Sequence, residues 1–206
     1  MKNLSFIILI ILFTAHFQSC DKEQERLDDF IAEFATVLKQ GDSYQFELDN
    51  GSIITPVDVK NFSGKDGDRV IIYWTPVSGD LADIMRITPI FKGYIDNEGY
   101  PERYNKDPLK IISIWVEGDY LNLILEIEYH SKPHILSLFR DISTPETDLY
   151  LGHSINNDPP GYPQVMYASF LLSSLQGQNE TDVPFRLFIN SYNGMRQFNF
   201  TLINTR

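Results

Sequence analysis

The chain changes its hydrophobic rhythm near residue 41. Over residues 22–39 apolar side chains fall at Leu27, Phe30, Ile31, Phe34, Val37 and Leu38. That spacing of three and four predicts an amphipathic helix over 22–39. Acidic residues crowd its first half, and Lys39 and Gly41 suit its end. Past Gly41 the rhythm becomes that of short strands. Ser43–Leu48 runs into Asp49-Asn50-Gly51, a strong hairpin signal, and Ser52–Val57 returns. Two more apolar segments follow, Arg69–Val77 and Ile84–Ile95. The stretch "DNEGYPERYNKDP" (96–108) is dense in Gly, Pro, Asn and Asp and predicts a domain boundary.

Beyond that boundary seven candidate strands occupy about 100 residues. The clearest is "YLNLILEIEY" (120–129). Leu121, Leu123, Leu125 and Ile127 fall on one face, Asn122, Glu126 and Glu128 on the other, and Ile124 is the exception. Phe198 and Phe200 alternate in the same way. One wet and one buried face, with turns every 8–12 residues, predict an antiparallel β-sandwich. The fold class expected is therefore mostly β, with one N-terminal amphipathic helix.

The first 19 residues change the picture of where the protein works. Lys2 is followed by the apolar segment "LSFIILIILF" (4–13) and a short polar exit ending at Ser19. This is the layout of a secretory signal peptide (1–19), too short in its apolar part to span a bilayer as a helix. The one cysteine of the chain, Cys20, follows directly. "FQSC" resembles the loose lipobox of Bacteroidetes lipoproteins. The resemblance implies a diacylglyceryl thioether on Cys20 and an acylated N-terminus after cleavage. Two or three acyl chains anchor a protein stably where one would not. A free thiol beside an ordinary cleavage site is the alternative. The charged run after Cys20, "DKEQE" (21–25), resembles a signal for display on the outer face of the outer membrane; a plain solvated tether on the periplasmic face is the competing reading.

Formal charge is −11, and removing residues 1–19 takes away one cation and no acid, leaving 16 − 28 = −12. Such a surface repels phosphate backbones, so a nucleic-acid partner is not expected. A single cysteine cannot form an internal disulfide.

Three stretches resemble the NigD-like lipoproteins of Bacteroidetes: "KDGDRVIIYWTPVSGD" (65–80), "DPLKIISIWVEGDYLNLILEIEY" (107–129) and "VPFRLFINSYNGMRQFNFTL" (183–202). The most specific part is "IWVEGDYLN" (114–122). The resemblance implies an OB-like β-barrel at 42–100 and a β-sandwich at 107–206, after a tether and helix at 20–41. It brings no catalytic residues. The family's association with a bacteriocin operon allows an immunity or accessory role. The helix at 22–39 has no counterpart in the family pattern.

Candidate chemistry is sparse. His130 and His134 stand four apart, but Ser-Lys-Pro between them reads as a hairpin turn rather than a helix, so no metal site is expected. His153 is an isolated strand residue. Glu126, Glu128, Asp141 and Glu146 could in principle serve a polysaccharide hydrolase, yet they read as the solvated face of a sheet. Tyr73 and Trp74 are strand aromatics, with Trp74 expected in a core. No serine sits in a nucleophile elbow, and "GKDGD" (64–68) lacks the end of a phosphate loop. The loop "HSINNDPPGYPQ" (153–164) offers Asn156, Asn157, Asp158 and Tyr162 as a possible ligand contact, against the plainer reading of a hairpin loop. The expectation is a non-enzymatic envelope lipoprotein without a cofactor. It would be anchored by lipid and would bind a protein or glycan; bacteriocin self-protection is the alternative.

Overall fold

Two strand systems share one chain in the computed structural model, which describes residues 30–59, 61–176 and 182–203. Cys20, the signal peptide and the first part of the expected helix lie outside the described residues.

The first system is a closed five-stranded barrel. Its strands are β1 (Ile31–Gln40), β2 (Ser43–Leu48), β3 (Ile53–Pro56), β4 (Arg69–Ser78) and β5 (Leu81–Pro89). They run in the order β1-β2-β3-β5-β4, and β1 pairs with β4 to close the ring. β3 and β5 are parallel; the other neighbours are antiparallel. Asp49-Asn50-Gly51 forms the expected turn, with Gly51 at φ +84° and the Asn50 side chain accepting from the Ser52 N–H at 2.9 Å. Ala35, Val37, Phe46, Ile54, Val70, Ile72 and Ala82 fill the interior.

Strand β1 corrects the helix expected over 22–39, as far as 31–39 are concerned. Its centre is covered on both sides. Ala35 and Val37 face the barrel core, while Phe34 on the opposite face meets Trp115 with ring centroids 5.0 Å apart. A strand buried on both faces carries apolar residues on both, which erases the period of two. What remained, Ile31, Phe34, Val37 and Leu38, fits helical spacing by coincidence. The β-branched Ile31, Thr36 and Val37 suit the pleat better than a helix.

The second system is an eight-stranded sheet. It comprises β6 (Phe91–Asp96), β7 (Lys110–Glu117), β8 (Tyr120–Tyr129), β9 (Ile135–Asp141), β10 (Asp148–Ser154), β11 (Tyr162–Leu171), β12 (Val183–Ser191) and β13 (Gly194–Leu202). The order is β13-β12-β10-β9-β6-β11-β8-β7. Its two halves fold over a common core that includes Leu121, Leu123, Leu125, Leu138, Leu151, Phe170, Leu187 and Ile189, and the end strands β7 and β13 approach each other. This is the expected sandwich, but not purely antiparallel. β10–β12, β11–β6 and β6–β9 are parallel pairs.

The odd strand is β6. The apolar run at 84–95 was expected to belong wholly to the barrel. Instead it divides at Ile90: β5 closes the barrel and β6 enters the middle of the other sheet. The barrel therefore covers 31–89 rather than 42–100. The stretch at 97–109 is not a linker. It lies on the sandwich, where Tyr100 stacks on Tyr150 at 4.3 Å and the Asn190 side chain donates to the Lys106 carbonyl. From Ile31 onward the chain packs as one compact unit.

Candidate functional site

The most elaborate polar arrangement lies where barrel meets sandwich. Arg69 begins β4, and its side chain is fully buried. Its guanidinium makes two parallel bonds to Asp49, Nη1–Oδ1 at 2.7 Å and Nη2–Oδ2 at 2.9 Å. Nη1 also reaches the Thr36 hydroxyl at 3.1 Å. Nη2 reaches Asn122 Oδ1 at 3.2 Å and Ser169 Oγ at 3.3 Å. Asn122 in turn donates to Asp49 Oδ2 at 2.7 Å, and Ser169 donates to Asn122 at 2.6 Å. The Tyr120 ring lies 3.9 Å from the guanidinium carbon. Arg69, Asp49 and Thr36 belong to the barrel; Tyr120, Asn122 and Ser169 belong to the sandwich.

This arrangement explains the most family-specific stretch. In "IWVEGDYLN" Trp115 packs against Phe34 in a T-shaped pair. Tyr120 stacks on Arg69, and Asn122 binds both members of the ion pair. Gly118, at φ +53°, brings the β7–β8 turn so close to the β2–β3 turn that a Cβ there would stand 2.6 Å from the Asp49 carbonyl oxygen. A bidentate pair removed from water is tolerated best when its remaining donors and acceptors are met; here Nη1 and Nη2 each gain further partners, while the buried Arg69 Nε has none among the described residues. Sequence inspection missed this cluster. Its one visible trace was Asn122, a polar residue at the centre of a run of leucines.

A second buried cluster gathers residues that looked unrelated in the sequence. Asp158 was a candidate ligand contact, but it is buried. Its carboxylate accepts the backbone N–H groups of His130, Ser131 and Lys132 at 2.7, 2.9 and 2.8 Å. Burial pushes the Asp158 carboxyl up, and these donors with the Ser131 hydroxyl outweigh it, holding the group below the ordinary carboxylate range. His134 Nε2 stands 3.5 Å from the same carboxylate. His134 Nδ1 and His153 Nε2 are 2.9 Å apart, and His153 Nδ1 lies 3.0 Å from the Asp107 carbonyl. Because a carbonyl can only accept, His153 carries its proton on Nδ1, and its Nε2 accepts from His134. Burial pushes the His153 ring down from its usual pKa, ahead of the opposing hydrogen bond to Asp107.

The line Asp158–His134–His153 resembles a relay, but it ends on a main-chain carbonyl. Among the described residues no side-chain hydroxyl or thiol is bonded to the His153 end, and both rings are buried. Its work is to tie the 130–134 turn to the 153–161 loop. Asn156 and Asn157 serve the same tie. Both adopt left-handed backbone angles, at φ +52° and +55°. Asn156 donates to the Pro133 carbonyl, and the Asn157 carbonyl accepts from Lys132. Of the four loop candidates, Asp158 is buried while Asn156, Asn157 and Tyr162 are exposed, Tyr162 at 83%.

The candidate carboxylates do not converge. Glu126 pairs with Lys110 across strands at 3.1 Å, Asp141 caps the Ser143 turn, and Glu146 lies 3.7 Å from Arg186. Trp74 packs against the barrel core and donates to Glu33 at 3.0 Å. Tyr73 carries Arg86 over its ring at 3.8 Å.

Comparison with known proteins agrees with this architecture. The family profile of the NigD-like C-terminal beta sandwich domain matches residues 93–202, just over half of the chain. It thus begins inside β6, close to the boundary that strand pairing sets. A Parabacteroides distasonis protein described as toxin-related superposes with a TM-score of 0.78 at 23% identity, over 86% of this chain and 95% of that one. A NigD-like immunity protein of Bacteroides caccae gives 0.67 at 21% identity, over 82% and 91%. A Bacteroides fragilis protein described as a lipoprotein gives 0.62 at 12% identity, over 86% and 99%. At these identities the likeness shows the fold. No curated protein matches the chain.

Proposed function

The chain belongs to the NigD-like family, and we propose that it is a lipid-anchored, non-enzymatic protein of the cell envelope that works by binding a protein partner. One observation carries the binding role: among the described residues, the buried charged groups Arg69, Asp49, Asp148, Asp158 and His153 are engaged in architecture. Arg69 and Asp49 join the two modules, Asp148 is held by Arg186, and Asp158 and His153 fasten two loops. Catalysis needs a poised group at a substrate-accessible point, whereas these groups face each other. The barrel order β1-β2-β3-β5-β4 with its parallel β3–β5 pair supports the OB-like reading of the first module. Such barrels bind through their surface rather than through a fixed chemistry.

The anchor rests on the "FQSC" lipobox at Cys20 and on the likeness to a protein described as a lipoprotein. Attachment to the outer membrane, facing outward, is the location proposed. Changing Cys20 to Ser and fractionating cells tests the anchor. The variant should leave the outer-membrane fraction; a variant that stays there contradicts lipid attachment. Crosslinking in intact cells followed by mass spectrometry tests the binding role. A reproducible envelope partner is expected, and repeated failure to recover one, with the protein present at normal levels, contradicts it.

A second reading, self-protection against a bacteriocin, draws on the B. caccae neighbour described as a NigD-like immunity protein. Deleting the gene should then raise sensitivity to toxins of neighbouring strains, and unchanged sensitivity removes this reading.

A further inference from the structure

A cleft of about 240 Å³ opens beside the junction of barrel and sandwich. Its apolar wall is Phe34 and Trp115, set edge to face at 86°. Its polar rim holds the carboxyl-bearing Glu33, Asp49 and Glu117. These three are not equivalent. Asp49 is neutralised by Arg69, and both of its oxygens are engaged. Glu33 accepts the Trp74 indole N–H through Oε2, a neutral donor that leaves its charge uncompensated. Glu117 is exposed at the end of β7. Among the described residues neither Glu33 nor Glu117 has a cationic partner. The rim thus carries two uncompensated negative charges beside Trp115, the aromatic side-chain type that best attracts a cation.

We propose that this cleft receives the cationic side chain, an ammonium or guanidinium group, of a protein partner. The proposal rests on the binding role proposed above and names its point of contact. The aromatic wall takes the methylene stem of such a side chain, as apolar surface does generally. The two carboxylates meet its charged head. The charge of −12 on residues 20–206 (16 − 28) steers a basic partner towards the molecule from a distance. The cleft volume suits one side chain rather than a polymer segment. An oligosaccharide, the other occupant of an aromatic-walled cleft, would use the two carboxylates only as hydrogen-bond acceptors for its hydroxyls and would leave their charge uncompensated.

The test uses the full-length chain in detergent and a fluorescently labelled tetralysine peptide, titrated at physiological salt. Wild type should bind it, and tetraglutamate should not bind. The double substitution Glu33→Gln with Glu117→Gln should weaken tetralysine binding at least tenfold; glutamine at 33 keeps an oxygen for Trp74. The charge-matched control Glu126→Gln with Glu128→Gln, on the outer side of β8, should change it less than twofold. If Glu33→Gln disturbs folding, as a thermal melt would reveal, Glu117→Gln alone must weaken binding at least threefold. Equal weakening by both double variants shows diffuse attraction and overturns the proposal. Absence of tetralysine binding, or equal binding of tetraglutamate, also overturns it. An envelope partner recovered by crosslinking in cells but attached elsewhere on the surface leaves the binding role standing and removes the cleft.

Discussion

Single residues carry the strongest energetic consequences in this protein. Arg69 and Asp49 are both buried, so removing one strands the other. Asp49→Asn keeps the shape and deletes the charge. It should cost about 3–5 kcal/mol in urea unfolding, the range typical of a broken buried pair. Combining it with Arg69→Met should cost clearly less than the sum of the two single changes, because no stranded charge remains. Simple additivity would show that the pair is not coupled. His153 gives a pH signature. Its folded pKa lies below the unfolded value, so the unfolded chain takes up a proton first as pH falls. Stability should hold above about pH 7 and decline as pH drops through the ordinary histidine range near 6.5 and on towards the folded pKa. The groups facing the ring are His134, the Asp107 carbonyl and, through His134, the Asp158 carboxylate. His153→Gln should flatten the slope between pH 7 and 5 in thermal melts; an unchanged slope would place its origin elsewhere. Asp158 acts at lower pH. Its depressed pKa contributes stability that is lost only as pH falls below the usual carboxylate range.

At the scale of elements, legibility followed solvent exposure. β8 was readable because one face is wet beyond the junction, as Glu126 and Glu128 show. The β2–β3 hairpin was readable because Asp49-Asn50-Gly51 encodes a turn locally. β1 was not, because the sandwich covers its outer face through Phe34 and so removes the alternation. The parallel pairs of β6 were illegible for a related reason: which strand lies beside which is decided by distant contacts, not by local pattern. The loop at 153–164 offered a possible contact, against a hairpin loop, because Asn, Asp and Pro are polar or rigid. Asn156, Asn157 and Asp158 also bind the neighbouring 130–134 turn, and nothing in either segment alone reveals the other. Gly118 tests the junction at this scale. Gly118→Ala meets both a left-handed backbone and the Asp49 carbonyl, and should cost about 2–3 kcal/mol. Gly79→Ala, at φ +60° with open space around it, meets only the backbone term and should cost about 1 kcal/mol. Equal costs would mean that the two turns do not press on each other.

The whole molecule is built so that its modules cannot part easily. β5 and β6 follow each other across Ile90 with no linker, so the chain leaves the barrel directly into the centre of the sandwich sheet. The stretch rich in Gly, Pro and Asn looked like a boundary because such residues also make straps, and here Tyr100 and Tyr104 bind the strap to the sandwich face. Arg69 then joins barrel strands to sandwich strands at the base of the cleft-bearing junction. On this account the junction is rigid, and a rigid junction is what a fixed cation-accepting cleft requires. Differential scanning calorimetry of the full-length chain tests that most directly. One transition, with calorimetric and van't Hoff enthalpies in agreement, is the predicted result. Two separated transitions, one for the barrel and one for the sandwich, would contradict it.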